Sequence, residues 1–164
     1  MLLKFDIGDD ELDFLIKAAL VLVATNYARV KKSVVTEEIV KELRKCFRKD
    51  FLGKDIESSN DVRAFVKKAA LLIDLRKPGF GLFAINLIIK RLAPFFKPEC
   101  LPYLDAPLNA DELKKVGSKV DAMSKVTFEN YDEVMDTARA YAERNSEDFS
   151  DRSLYRWEIK EYNK

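Results

Sequence analysis

Residues 12–24 form the longest apolar run of the chain, interrupted by Asp13 and Lys17. The run is too short to span a bilayer as a helix, which takes about 20 apolar residues. The acids at residues 9–11 precede it, and a helix N-terminus favours negative charge. We therefore predict a helix over residues 9–30 that is apolar on most sides. Such a helix belongs at the centre of a bundle or beneath a partner.

Shorter helical patterns follow, each bounded by residues that start or stop a helix. Thr36 is a suitable N-cap for a second helix that ends near Gly53. Apolar residues at helical spacing predict a third helix over residues 60–76 and a fourth over residues 82–93. The sequence Lys-Pro-Gly-Phe-Gly at residues 77–81 is typical of a turn that breaks the chain. We expect the first and fourth helices to be the most buried, because they have few polar positions.

The segment from residue 94 to residue 109 contains four prolines, so it is predicted to be an ordered crossing loop rather than a continuous helix. A fifth helix begins after Asn109, with Glu112 placed for a capping box, and a sixth follows from about Asn130. The prediction is an all-α fold, a single-domain helical bundle of five to seven helices over residues 1–145. Residues 146–164 form a C-terminal tail that docks on its own domain or on a neighbouring subunit.

The chain contains no histidine, and this absence removes several kinds of chemistry. It excludes Ser-His-Asp and Cys-His nucleophile systems, histidine acid–base catalysis and histidine-ligated metals. The two cysteines, Cys46 and Cys100, are isolated and do not form a zinc set. Carboxylate or lysine chemistry stays open in principle. We expect a protein that is not an enzyme and that needs no metal or other cofactor.

The N-terminal residues lack the basic and then apolar layout of a signal peptide. Two unpaired cysteines fit a reducing compartment, where both would be free thiols. The expectation is a cytoplasmic protein with no membrane partner.

Charge is distributed in three blocks that a net charge of +1 conceals. Residues 26–100 hold 17 Lys and Arg against nine Asp and Glu, whereas residues 1–25 and 101–164 both have an excess of acids. Such blocks suggest either an anionic partner for the basic middle or self-association between unlike regions.

The second helix concentrates this positive charge. Its five cations fall on one arc opposite its apolar stripe, and three cations of the third helix, Arg63, Lys67 and Lys68, also avoid the apolar stripe of that helix. The predicted nucleic-acid contacts are Lys41, Arg44, Lys45, Arg48, Lys49, Arg63 and Lys67. Backbone contacts to RNA or DNA, without sequence preference, are the leading functional hypothesis. A basic middle between acidic ends would also suit a homo-oligomer, such as a self-associating nucleoprotein or coat-like protein. We expect reversal of Arg44, Lys45 and Arg48 to Glu to leave folding intact, because these positions lie opposite the apolar stripe.

The alternative hypothesis is a helical protein–protein interaction module, an adaptor or inhibitor. Its partner would be gripped by the apolar loop at residues 94–108 and by the C-terminal tail. The aromatic residues predicted to make these contacts are Phe95, Phe96 and Trp157.

Overall fold

The computed structural model describes residues 2–145 and 154–162, with only the backbone for residues 160–162. Helices dominate both ranges, and the all-α fold predicted from the sequence is confirmed. The α-helices in the described residues are α1 Asp9–Asn26, α2 Glu37–Phe47, α3 Ser59–Ala70, α4 Pro78–Leu92, α5 Ala110–Lys115, α6 Tyr131–Asn145 and α7 Leu154–Tyr162. They pack into a single helical domain.

Short helical turns connect these helices. A π-helical turn, Arg48–Leu52, extends α2 up to Gly53, the residue predicted to stop it. The 3-10 turns are Lys32–Val34, Ala93–Phe95, Pro98–Tyr103 and Met123–Lys125. Within the described ranges there is no strand, and the only β-type pairing is an isolated bridge between Leu3 and Phe96.

The helix α4 lies at the centre of the bundle, packed against both α1 and α3. Most of its residues are buried, as its near-continuous apolar sequence predicts. In contrast, α1 buries one side and leaves the ring of Phe14 largely in solvent. None of the helices described is both long enough and apolar enough to cross a membrane.

The start of α4 differs from the prediction, because residues 77–81 do not form a separate turn. Pro78 is the first helical residue, a position where its fixed φ and missing N–H cost little. A Cβ on Gly79 would lie 1.9 Å from the carbonyl oxygen of Met123, so glycine here permits close packing of helix and loop. A Cβ on Gly81 would similarly lie 3.3 Å from the carbonyl oxygen of Ala70.

The end of α3 also differs, since the helix stops at Ala70 rather than at residue 76. Two turn hydrogen bonds follow it, from Leu72 to Ala69 and from Ile73 to Ala70. Arg76 then adopts a φ of 75°, a left-handed conformation that cannot continue a helix. The chain changes direction at this point, and α4 begins two residues later at Pro78.

Two predicted helix starts are confirmed by their capping bonds. The hydroxyl of Thr36 accepts a hydrogen bond from the backbone amide of Ile39 at the start of α2. At the start of α5, Asn109 and Glu112 form a reciprocal capping box, with distances of 2.8 and 2.9 Å. These contacts are local in sequence, which is why the pattern of residues predicts them.

The proline-rich segment between α4 and α5 is ordered by side chains from the helices around it. Arg139 on α6 donates hydrogen bonds to the carbonyl oxygens of Pro102, Tyr103 and Leu104. It also donates to the carboxylate of Asp105, whose side chain is fully buried. The segment is therefore fixed against α6 by both its backbone and its acid.

The helix α7 packs against α6 and the Pro98–Tyr103 turn of the same chain. The ring of Trp157 meets Tyr141 edge-on, with centroids 5.5 Å apart. Glu158 forms a 2.8 Å ion pair with Lys90 on α4. The first part of the predicted tail, residues 146–153, lies outside the described residues.

Candidate functional site

The five cations predicted to share a solvated arc on α2 lie in two different environments. The guanidinium group of Arg44 is 3.4 Å from the Asp9 carboxylate and 3.3 Å from that of Asp13. Arg48 pairs with the same Asp9 at 2.9 Å and donates to the carbonyl oxygen of Ile7. These side chains are only 22% and 32% exposed. The two arginines therefore join α2 to the acidic N-terminal end of α1.

The other three cations of the arc, Lys41, Lys45 and Lys49, are exposed. They are four residues apart, so along a helix each step would be about 6 Å. Lys45 is 3.0 Å from Glu42, but both side chains are more than half exposed, and such pairs are weak. We call Lys41, Lys45 and Lys49 the lysine row.

Arg63 is not on the outer surface of α3 as expected, because its side chain is only 7% exposed. It lies 3.5 Å from Asp105 and 2.8 Å from Asp136. Burial disfavours its charge, but the two carboxylates outweigh this effect and keep the pKa of Arg63 above its ordinary value. Arg63 thus holds α3 against the crossing segment and α6.

Lys67 is partly covered as well, with its ammonium 2.9 Å from Asp132 and above the ring of Tyr131. Of the seven predicted nucleic-acid contacts, only the lysine row is exposed. A phosphate at Arg44, Arg48 or Lys67 would have to displace a carboxylate of this chain. The acids of α1 also reduce the positive potential beside α2.

The three aromatic residues predicted to grip a partner contribute to the interior instead. Phe96 is 1% exposed and its ring lies 5.8 Å from that of Phe51. Phe95 is partly buried against the core, and Trp157 is 5% exposed. In this conformation, these side chains leave little surface for a second protein.

Another apolar surface is open on α1, bordered by α2 beside Phe14 and by α4 beside Leu22. Phe14 is 72% exposed, and the partly exposed residues Ala18, Val21 and Leu22 follow it at helical spacing. We call these four residues the α1 outer face. Lys17 and Asn26 lie at its edges.

A groove of about 470 Å³ begins where the α1 outer face ends. Its walls come from the C-terminal end of α1, from α4, from the crossing segment with the start of α5, and from α7. Its apolar lining includes Leu22, Tyr27 and Phe83, and its charged lining is Lys90, Arg91, Glu112 and Glu158. The rings of Tyr27 and Phe83 are in contact, with centroids 5.1 Å apart. The surface is thus an apolar strip that runs into a groove lined by both apolar and charged side chains.

The sequence contained a signal for this surface that the predicted site residues did not include. The first helix was predicted to be apolar on most sides and to lie at the centre of a bundle or beneath a partner. In the structure, α1 has one covered side and one open side, and Phe14 lies on the open side. Periodicity could not show this, because both sides carry apolar residues.

The thiols of the chain are poorly suited to nucleophilic chemistry. Burial and the charge of Asp50 raise the pKa of Cys46, and burial and Glu99 raise that of Cys100. Both thiols are buried and unpaired. In the described parts of the chain, no three Cys, Asp or Glu side chains are grouped as metal ligands.

Comparison with known proteins gives no match, whether with family models, with curated proteins or with solved structures.

Proposed function

We propose that this chain is a non-enzymatic protein–protein interaction module whose binding surface is the α1 outer face with its adjoining groove. The observation that carries this proposal is the exposure of Phe14, a large aromatic side chain on a well-formed helix. A protein–protein interaction module was the alternative hypothesis from the sequence. That hypothesis used the loop at residues 94–108 and the C-terminal tail, whereas the surface proposed now is on α1. Phe95, Phe96 and Trp157, which were predicted to bind a partner, instead pack against the core of this chain.

The composition of the surface supports this proposal. A continuous apolar strip with a polar edge is typical of protein interaction sites. Burying an aromatic side chain such as Phe14 is worth roughly 1.5–3 kcal/mol, so it would be an anchor of the interface. The groove beside Leu22 provides the concave surface that receives a protruding side chain.

A photoreactive phenylalanine analogue at position 14 tests the proposal, because it replaces the anchor with a similar ring. Leu71 is the matched control position, since it is also 72% exposed but lies after α3. After irradiation in the cells that express the protein, we expect a covalent adduct with a protein from position 14 and none from position 71. No adduct from position 14 would contradict the proposal.

The second candidate is binding of RNA or DNA through the backbone, which was the leading hypothesis from the sequence. The lysine row favours it, since three exposed lysines spaced along one helix can follow a line of phosphates. The contact set is smaller than predicted, because the arginines of α2 are paired with α1.

Fluorescence anisotropy with 20-nucleotide RNA and DNA tests this candidate. Reversal of the lysine row to Glu should weaken binding and reduce the slope of log affinity against log salt by about two to three, since each lost phosphate contact lowers it by about 0.7–0.9. The control reverses three exposed lysines elsewhere, Lys114, Lys119 and Lys125. Equal effects of the two triple variants would show that net charge, not the lysine row, determines binding.

A further inference from the structure

We infer that the α1 outer face binds a second copy of this chain, with the two α1 helices antiparallel about a two-fold axis near Ala18. This inference rests on the proposed function, because it assigns a partner to the same surface. The chain supplies both a protruding side chain, Phe14, and a groove to receive it, and the α1 outer face connects the two.

The spacing between Phe14 and the groove fits a two-fold arrangement. Leu22, which lines the groove, is eight residues after Phe14, about 12 Å along the helix. Both residues are four positions from Ala18. In an antiparallel pair centred there, Phe14 of each copy lies opposite Leu22 of the other. The same contact then forms twice, which is the defining property of an isologous two-fold interface.

The residue at the centre of the proposed contact is small. Ala18 is partly exposed and lies between the bulky side chains of Phe14 and Leu22. Helix axes in contact are typically 8–10 Å apart, and the separation depends on the side chains at the crossing point. An alanine from each copy lets the helices approach closely enough for Phe14 to reach the groove.

The charges near the two ends of α1 favour the antiparallel arrangement. Asp10 is exposed in the first turn, and the exposed Arg29 lies in the segment after the helix, three residues beyond Asn26. In the antiparallel arrangement, Asn26 of one copy faces Asp10 of the other, so the segment that carries Arg29 follows directly beside that acid. A parallel pair would instead bring the two acidic first turns together, which is repulsive.

The size of the surface determines how strong the dimer is. With 18 residues, α1 is about 27 Å long. One helix face of this length with a single groove falls below the range of about 1,200–2,000 Å² that stable complexes bury. We therefore expect a weak dimer that dissociates on dilution.

Sedimentation equilibrium over micromolar to millimolar concentrations measures this association. The wild-type chain should shift from monomer to dimer, and Phe14→Glu should raise the dissociation constant by about tenfold or more. The matched control, Leu71→Glu, changes an equally exposed side chain and should dimerise like the wild type. A wild-type chain that stays monomeric at millimolar concentration overturns the inference, as does equal weakening by both variants.

Cysteine cross-linking tests the geometry without depending on the folding of Phe14→Glu. Ala18→Cys places two thiols at the axis, where mild oxidation should link the copies. Thr25→Cys lies on the same side of α1, but its two copies would be about 21 Å apart, too far for a disulfide. The native cysteines are buried and serve as background. Linkage through position 25 indicates a parallel pair and contradicts the antiparallel one; failure to link through position 18 also contradicts it.

The photoreactive residue at position 14 separates the two proposals. Adducts that join two copies of this chain support both. Adducts with a different protein, from a chain that is monomeric at millimolar concentration, support the proposed function and overturn the dimer. Absence of adducts and of dimers contradicts both.

Discussion

Asp105 and Arg139 fix the crossing segment to α6 through two hydrogen bonds to one carboxylate oxygen, from Nη2 at 2.9 Å and from Nε at 3.3 Å. The other oxygen of Asp105 accepts a hydrogen bond from the hydroxyl of Tyr131 at 2.9 Å. Arg63 approaches the same carboxylate from α3. Burial raises the pKa of Asp105, and the charges of Arg139 and Arg63 oppose that rise. One acid thereby connects three parts of the bundle.

Asp105→Asn should therefore be strongly destabilising. The substitution keeps the shape of the side chain but leaves two largely covered guanidinium groups without their shared counter-charge. Breaking a buried ion pair in this way costs about 3–5 kcal/mol of unfolding free energy, measurable by urea denaturation. Asp111→Asn changes an exposed acid and serves as the control. A loss below about 1 kcal/mol would mean that the network does not hold the segment.

Gly79→Ala should destabilise the domain, although alanine is the better helix former. The new Cβ would meet the carbonyl oxygen of Met123 at 1.9 Å, so the loop that carries Met123 must move. Overpacking of this kind costs about 1–3 kcal/mol or more, which exceeds the roughly 1 kcal/mol gained in helix propensity. Gly81→Ala meets its neighbour at 3.3 Å and should be close to neutral. Thermal unfolding of both variants checks this order, and a more damaging Gly81→Ala would contradict it.

Charge reversal on α2 should have different effects on its two sets of cations. Arg44→Glu with Arg48→Glu would place five carboxylates together at the N-terminal end of α1, the two new ones beside Asp6, Asp9 and Asp13, and should cost about 2 kcal/mol. Lys41→Glu with Lys49→Glu makes the same change in charge on exposed side chains and should leave the unfolding free energy almost unchanged. This replaces the expectation from the sequence that the arginines can be reversed without effect on folding. Equal denaturation midpoints for the two double variants would contradict it.

Asp61 should make stability depend on pH in the acidic range. Its carboxylate accepts hydrogen bonds from the backbone amides of Glu57 and Ser58, each at 3.0 Å. The bond from Glu57, the side chain of Ser58 and the bond from the Ser58 amide together lower the pKa of Asp61. A lowered pKa in the folded state means that this stabilisation is fully present above about pH 4, the ordinary pKa of aspartate. It is lost as the pH falls through the lower, folded-state pKa. Melting temperatures measured from pH 6 to pH 2.5 should therefore decline less steeply for Asp61→Asn than for the wild type. Parallel curves would exclude this contribution.

Features set by neighbouring residues were predictable from the sequence. The caps at Thr36 and Asn109 could be predicted because the capping side chain and the backbone amide that it binds are three residues apart. The apolar character of α4 indicated its burial for a similar reason, since few of its positions could face water. Gly79 was misinterpreted, because a glycine needed for close packing and a glycine needed for a turn look the same in one sequence.

What only the tertiary structure decided is which surfaces remain open. Helical periodicity placed Arg44 and Arg48 away from the apolar stripe of α2, but it could not show that the acids of α1 would lie opposite them. It also placed Arg63 outside, although the buried Asp105 lies more than forty residues away in sequence and supplies the charge that allows its burial. Phe14 was assigned to an apolar helix, yet the side of that helix left uncovered depends on where α2 and α4 pack. Local hydrogen bonding and hydrophobic pattern therefore determined the helices of this protein. The pairing of charges and the exposure of faces depend on contacts between distant segments, which a single sequence does not specify.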